Sequence, residues 1–191
     1  INYLEDYQKN NFNRTFLNKI FNKKDNKLGF YLAGDVGVGK TMILDFFFNN
    51  LKKRKLRLHF NEFMIKFHNY IFKNKDKENG INNFVKDLSK KVEIIYFAEF
   101  QVTNIVDAMI LGRLFKRIFE EKIKVIFSSN IFINDLYKDG LQRDQFLPFI
   151  KILEKYCDQK ELLIKEDYRS SKNANLERFL SPIDKSTNFI F

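Results

Sequence analysis

The residues Gly34-Asp35-Val36-Gly37-Val38-Gly39-Lys40-Thr41 follow the spacing G-x-x-x-x-G-K-[ST], and Met42 carries the run into an apolar segment. Three of the chain's seven glycines fall here. The pattern suits phosphate chemistry. Glycines admit positive φ, so successive backbone N–H groups can curl around phosphate oxygens. A helix beginning near Lys40 adds the positive end of its dipole. Lys40 is expected to reach the β- and γ-phosphates, and Thr41 to offer its hydroxyl to Mg²⁺. The competing reading is a glycine turn ahead of a buried helix; the apolar run before the motif and the helical pattern after it favour the phosphate loop.

Such a loop works with polar groups from neighbouring strands. Ile94-Ile95-Tyr96-Phe97-Ala98-Glu99-Phe100 reads as a strand ending in an acid. An Asp that would help hold Mg²⁺ is expected at position 98, where the chain has Ala98. Glu99 is the candidate to orient an attacking water; the alternative is an ordinary carboxylate at a strand end. Without a ligand at Ala98, Mg²⁺ relies on Thr41, phosphates and water, which suits an ion that keeps several waters. Hydrolysis, which needs tight positioning, is expected to suffer more than binding. A third apolar strand, Lys124–Phe127, runs into Ser128-Ser129-Asn130. Asn130 is placed to meet the terminal phosphate or the water; the alternative is a polar strand end opening a turn. Arg143 follows Gly140-Leu141-Gln142. Taken alone it reads as a solvated surface arginine.

The elements that must position these residues alternate. Gly29–Ala33, Arg57–Phe60, Val92–Phe97 and Lys124–Phe127 read as strands, with Leu162–Lys165 as a further one. Helical spacing covers Thr41–Leu51, Glu62–Phe72, Phe84–Leu88, Val106–Phe119, Ile133–Tyr137 and Asp144–Tyr156. Tyr3–Phe21 suggests one or two short helices, and Asn74–Asn82 a loop. Strand–helix alternation predicts an α/β fold, a mainly parallel sheet flanked by helices on both faces. Ligands of such sheets bind outside the carboxyl ends of the strands.

Composition sets the outer limits. The chain has 191 residues, 45% hydrophobic and 30% charged. These are globular proportions, enough for one domain with an appendage. One cysteine excludes an internal disulfide framework. No apolar run reaches the roughly 18 residues of a membrane span. The net charge of +10 raises nucleic acid as a partner. Yet the lysines are scattered, and abundant Lys, Asn, Ile and 23 Phe reflect a compositional bias instead. Ile1–Asn10 is polar and mixed in charge, unlike a signal peptide or a clear transit peptide. Since residue 1 is not Met, residues are expected ahead of it. His59 and His68 lack partners at metal-ligand spacing, and Cys157 lacks an activating neighbour.

Longer stretches carry a family resemblance. Gly29–Phe47, Leu58–Met64, Phe100–Phe115, Ser129–Ile150 and Asp167-Tyr168-Arg169 together resemble the ZapE/AFG-like ATPases of the AAA+ group. The runs DAMILGRLF and DLYKDGLQRDQFLPF are the most specific. The resemblance implies an AAA+-like P-loop NTPase fold and an oligomeric ATPase using ATP and Mg²⁺. It implies a protein partner, such as a cell-division component or a membrane-associated substrate, and makes nucleic acid less favoured. It places the protein in the bacterial cytoplasm or at the inner membrane, or in the mitochondrial matrix of a eukaryote. Gly34, Gly39, Lys40 and Thr41 match the phosphate loop, Glu99 the catalytic acid and Asn130 the sensor position. Arg143 matches an arginine supplied to a neighbour's nucleotide. The departures are Ala98 for Asp, Asn61 for a second His, and an end soon after Leu180-Ser181-Pro182-Ile183-Asp184, where the family continues. The expected organisation is a helical extension at 1–28, an ATPase core at 29–169, and the start of a truncated C-terminal region at 170–191. Two other readings stand: a degenerate nucleotide-binding module without turnover, and a DNA-loading initiator-type ATPase.

Overall fold

The computed structural model describes residues 27–74 and 79–163. Within these residues five strands form one sheet: β1 (Gly29–Ala33), β2 (Lys55–His59), β3 (Ile94–Ala98), β4 (Lys124–Ser129) and β5 (Cys157–Glu161). Among the described residues five helices join them: α1 (Lys40–Asn50), α2 (Phe60–Lys73), α3 (Gly80–Lys91), α4 (Ile105–Glu120) and α5 (Arg143–Tyr156). The spatial order is β2-β3-β4-β1-β5, and every pairing is parallel. The carboxyl ends of all five strands therefore share one edge. β1 sits between β4 and β5, so the chain leaves β1 for the far edge strand and returns stepwise. That reversal opens a crevice at the end of β1.

Period-two alternation divides the core. Tyr31, Ile95, Phe97, Val125 and Phe127 join the larger buried cluster, which takes residues from α2 to α5. Phe30, Leu32, Ile94, Tyr96, Ala98 and Ile126 join the smaller one with Leu44 and Phe48 of α1. Among the described residues, helices thus cover both faces, four on one and α1 on the other. The larger cluster is knit by rings: Phe97 and Phe127 stack at 5.6 Å, and Phe115 lies 5.1 Å from Phe149. Such pairs each add about 0.5–1.5 kcal/mol beyond area burial. Gly29 permits β5 to approach β1; a Cβ there would stand 2.3 Å from Cys157 Sγ.

Three expected elements differ. Of the strand expected at Leu162–Lys165, Ile164 and Lys165 lie outside the described residues, and Leu162 and Leu163 lie outside any strand, following the last described one, Cys157–Glu161. This strand lies at the sheet edge with its last three residues exposed, so it carries no apolar pattern. The helix expected from Phe84 begins at Gly80, because Ile81, Phe84, Val85 and Leu88 share one stripe against the core. Ile133–Tyr137 is shortened to a 3₁₀ turn, Ile133–Asp135, with Tyr137 in the left-handed region. The segments expected at Tyr3–Phe21, at Asp167-Tyr168-Arg169 and at 170–191 lie outside the described residues. Among the described residues, no helix is long and apolar enough to cross a membrane.

Candidate functional site

The glycine loop joins β1 to α1 at the crevice. Gly34, Gly37 and Gly39 have φ of 152°, 86° and 87°, values that favour glycine. Gly39 caps α1, so the first helical residues are Lys40 and Thr41. Their backbone N–H groups belong to the helix's unpaired first turn. Lys40 is buried, and its Nζ donates to the carbonyls of Gly34 and Asp35, both at 2.7 Å. Burial lowers its pKa, and the Asp35 carboxylate opposes that shift.

A cavity of about 360 Å³ lies over this loop. Val36, Gly37, Gly39, Lys40, Thr41 and Met42 line one side; Glu99, Ser128, Ser129 and Asn130 line the other. The structure therefore brings Lys40, Thr41, Glu99 and Asn130 together from three separate segments. Gly34, Asp35 and Val38 are not among its lining residues; Gly34 and Asp35 hold Lys40 from behind through their carbonyls.

The far wall is fixed by a compact hydrogen-bond set. Phe100 N donates to Ser128 O at 2.7 Å, and Ser129 Oγ donates to Phe100 O at 2.7 Å. Ser129 Oγ also accepts from Ile131 N, whose own carbonyl accepts from Tyr31 Oη. These bonds pin the turn after β3 to the turn after β4. Glu99, between buried Ala98 and Phe100, takes φ 54°. A non-glycine residue there costs about 1–2 kcal/mol. The strain turns its carboxylate out of the sheet to the mouth of the cavity, with the side chain 77% exposed.

Several partners were not visible in the spacing. His59 pairs in register with Ala98, and its Nδ1 lies 3.9 Å from a Glu99 oxygen. Arg57 on β2 is held by both oxygens of Asp45 on α1, at 2.7 and 3.0 Å. That carboxylate raises the Arg57 pKa. His68 Nε2 lies 2.6 Å from Asp107 Oδ1, joining α2 to α4. Each pair depends on strand register or helix packing, which motif spacing does not reveal. Ala98 is fully buried and presents no ligand.

Arg143 is not brought to the cavity. It begins α5, and its guanidinium donates to the carbonyls of Leu136 and Asn134 at 3.1 and 2.7 Å. Gln142 before it takes φ 54°, which sets the turn into α5.

The residues fit a nucleotide phosphate chain with its cation. The glycine conformations, the buried ammonium and the unpaired helix N-terminus all favour anions. For Mg²⁺, the lining hydroxyl of Thr41 is a hard oxygen donor of the kind this ion takes, with waters completing its shell. An all-parallel sheet of this order, with a glycine loop from β1 into α1 and polar residues at the ends of β3 and β4, defines an AAA+-like P-loop NTPase fold.

Comparison with known proteins agrees and goes further. A family model described as AFG1-like ATPase matches residues 2–189, and the chain belongs to that family. It is 35% identical over 160 residues to the cell division protein ZapE of Escherichia coli K12, covering 83% of this chain and 43% of that protein. The chain thus spans less than half the length of that relative. Among solved structures, DnaI aligns with TM-score 0.54 at 21% identity, covering 82% of this chain and 84% of that one. Domain III of the Thermotoga maritima replication initiation protein DnaA aligns with TM-score 0.56 at 16% identity, covering 81% and 62%. At these identities the likeness concerns the fold.

Proposed function

We propose that the chain binds ATP with Mg²⁺ in this cavity and hydrolyses it, working as part of a homo-oligomer on a protein partner. The observation that carries the reading is the convergence of Lys40, Thr41, Glu99 and Asn130 on one cavity. Backbone N–H groups of the loop from Gly34 to Met42 cradle the phosphates. The ammonium of Lys40 has a third N–H beyond the two engaged by carbonyls, and this meets the β- and γ-phosphates. Thr41 gives its hydroxyl oxygen to Mg²⁺, which draws charge from the phosphate oxygens. Glu99 accepts a proton from the attacking water and aligns it. Asn130 hydrogen-bonds the terminal phosphate or that water. Arg143, outside the cavity, serves a neighbouring subunit's nucleotide. The partner is a cell-division component or a membrane-associated protein, in keeping with the name of the relative ZapE. The setting is the bacterial cytoplasm or inner-membrane surface, or the mitochondrial matrix in a eukaryote.

A second reading rests on Ala98: the chain binds nucleotide and does not cycle. Phosphate release separates the two. Mg²⁺-dependent turnover that disappears in Lys40→Ala supports hydrolysis. No turnover across protein concentrations and divalent metals would leave the binding module. In an active chain, Ala98→Asp should raise turnover; an unchanged rate would show that Ala98 does not limit it.

A further inference from the structure

Tyr96 is fully buried, and its hydroxyl has no hydrogen-bond partner. Buried hydroxyls are nearly always bonded, so an orphan marks a group with work elsewhere or a cost of folding. The ring is held on several sides. Phe48 lies 5.5 Å away, and the Arg57 guanidinium stacks 5.5 Å from its centroid. Arg57 is itself clamped by Asp45.

The ring occupies the face of the sheet that α1 covers. Tyr96 and Ala98 face the same side of β3, in the cluster under α1. Position 98 lies about 6.6 Å further along the same face of the strand. Thr41 shares the face of α1 that carries Leu44 and Phe48, which pack with Tyr96 in this cluster, and Ser128 lies two residues beyond Ile126, the register partner of Tyr96, on the same side of β4. Both residues line the cavity. Tyr96 therefore shares its face of the sheet with two residues that line the cavity, one of them the side chain assigned to the cation.

A hydroxyl that gives its lone pair to a cation must send its proton to an acceptor. A carboxylate at position 98 would be that acceptor, and Ala98 supplies none. We propose that the Tyr96 hydroxyl accepts the Thr41 Oγ–H bond and donates its own proton to Ser128 Oγ, turning the Thr41 lone pair toward Mg²⁺. Tyr96 is then a positioning residue that stands in for the missing carboxylate. An ordinary phenol is protonated at neutral pH, so the hydroxyl has the proton it must donate. The inference rests on the proposed Mg²⁺–ATP reading.

The test uses the full chain and a fluorescent ATP analogue, titrated with Mg²⁺ and with EDTA. The reading predicts that Tyr96→Phe lowers the Mg²⁺-dependent gain in affinity about threefold to tenfold and leaves EDTA-state affinity within about twofold. Thermal unfolding without ligand should occur at the same or higher temperature, because an orphan polar atom is removed. Adding Ala98→Asp to Tyr96→Phe should restore the Mg²⁺ gain. An unchanged gain in Tyr96→Phe would overturn the proposal and leave nucleotide binding intact. A weakened single variant that Ala98→Asp fails to rescue would also overturn it. Wild-type binding indifferent to Mg²⁺ would overturn the metal assignment itself, and this proposal with it.

Discussion

One face of the sheet is covered by four helices and a mesh of phenylalanine rings. The other is covered, among the described residues, by α1 and a smaller cluster. The thick face holds Phe97, Phe115, Phe127 and Phe149, each fully buried with no polar atom to satisfy. The thin face carries Lys40 and Ser128 as buried polar side chains, and the orphan hydroxyl of Tyr96. The thick face is not free of polar burial, since Asp107 and Ser129 are buried there with hydrogen-bond partners and Arg117 Nε has none, but most of the apolar packing lies on that side and the glycine loop with Lys40 on the other. Apolar packing on one side offsets the cost of polar burial and backbone strain near the loop on the other. A domain is stable by only about 5–15 kcal/mol, so this separation limits how much the site can cost.

That contrast can be broken from either side. The largest expected effect lies on the thick face. Phe127→Ala should cost about 3–5 kcal/mol of unfolding free energy, measured by denaturant titration. Nucleotide affinity per folded molecule should stay near wild type; a collapse of affinity in the folded fraction would show that the faces are not independent. Next, Glu99→Gln should reduce turnover about 10²- to 10⁴-fold while nucleotide still binds, a split read from steady-state kinetics beside equilibrium titration. Equal losses in both would assign Glu99 to binding. Ser129→Ala removes the hydroxyl that ties the turns after β3 and β4. It should cost about 1–3 kcal/mol by chemical unfolding, since it leaves buried groups unpaired, and should also lower turnover. Cys157 gives the smallest effect. It is buried under the thick face, and burial pushes its thiol pKa well above the ordinary range. Native protein should resist alkylation at neutral pH, with labelling appearing only as the chain unfolds. Rapid labelling of folded protein would show that β5 opens easily.

How much of this could be read in advance depended on what each position must do. The glycine loop between β1 and α1 was legible because positive φ at Gly37 and Gly39 leaves little choice of residue. The strands β1, β3 and β4 were legible because both faces are buried and each holds a run of at least three consecutive apolar residues. The strand β5 was not, since an edge strand satisfies its backbone against β1 without needing an apolar pattern. Glu99 and Asn130 could be placed at strand ends, but the bonds that hold them depend on the register of β3 against β4. Tyr96 was passed over as one more ring in an apolar strand. Its signal was present in the alternation, which puts positions 96 and 98 on the same face, and in the hydroxyl that a phenylalanine would lack. Arg143 was legible only as a motif match, and the fold places it with the turn before α5 rather than at the cavity.

The central claim is that the cavity between the glycine loop and the ends of β3 and β4 holds Mg²⁺–ATP. Equilibrium titration of a fluorescent ATP analogue into wild type and Lys40→Ala tests it directly. The account predicts saturable binding to wild type that EDTA weakens, and a loss of about 100-fold or more in the variant, as removal of a buried charge-assisted contact implies. Equal affinity in the two proteins, with both folded, would contradict it.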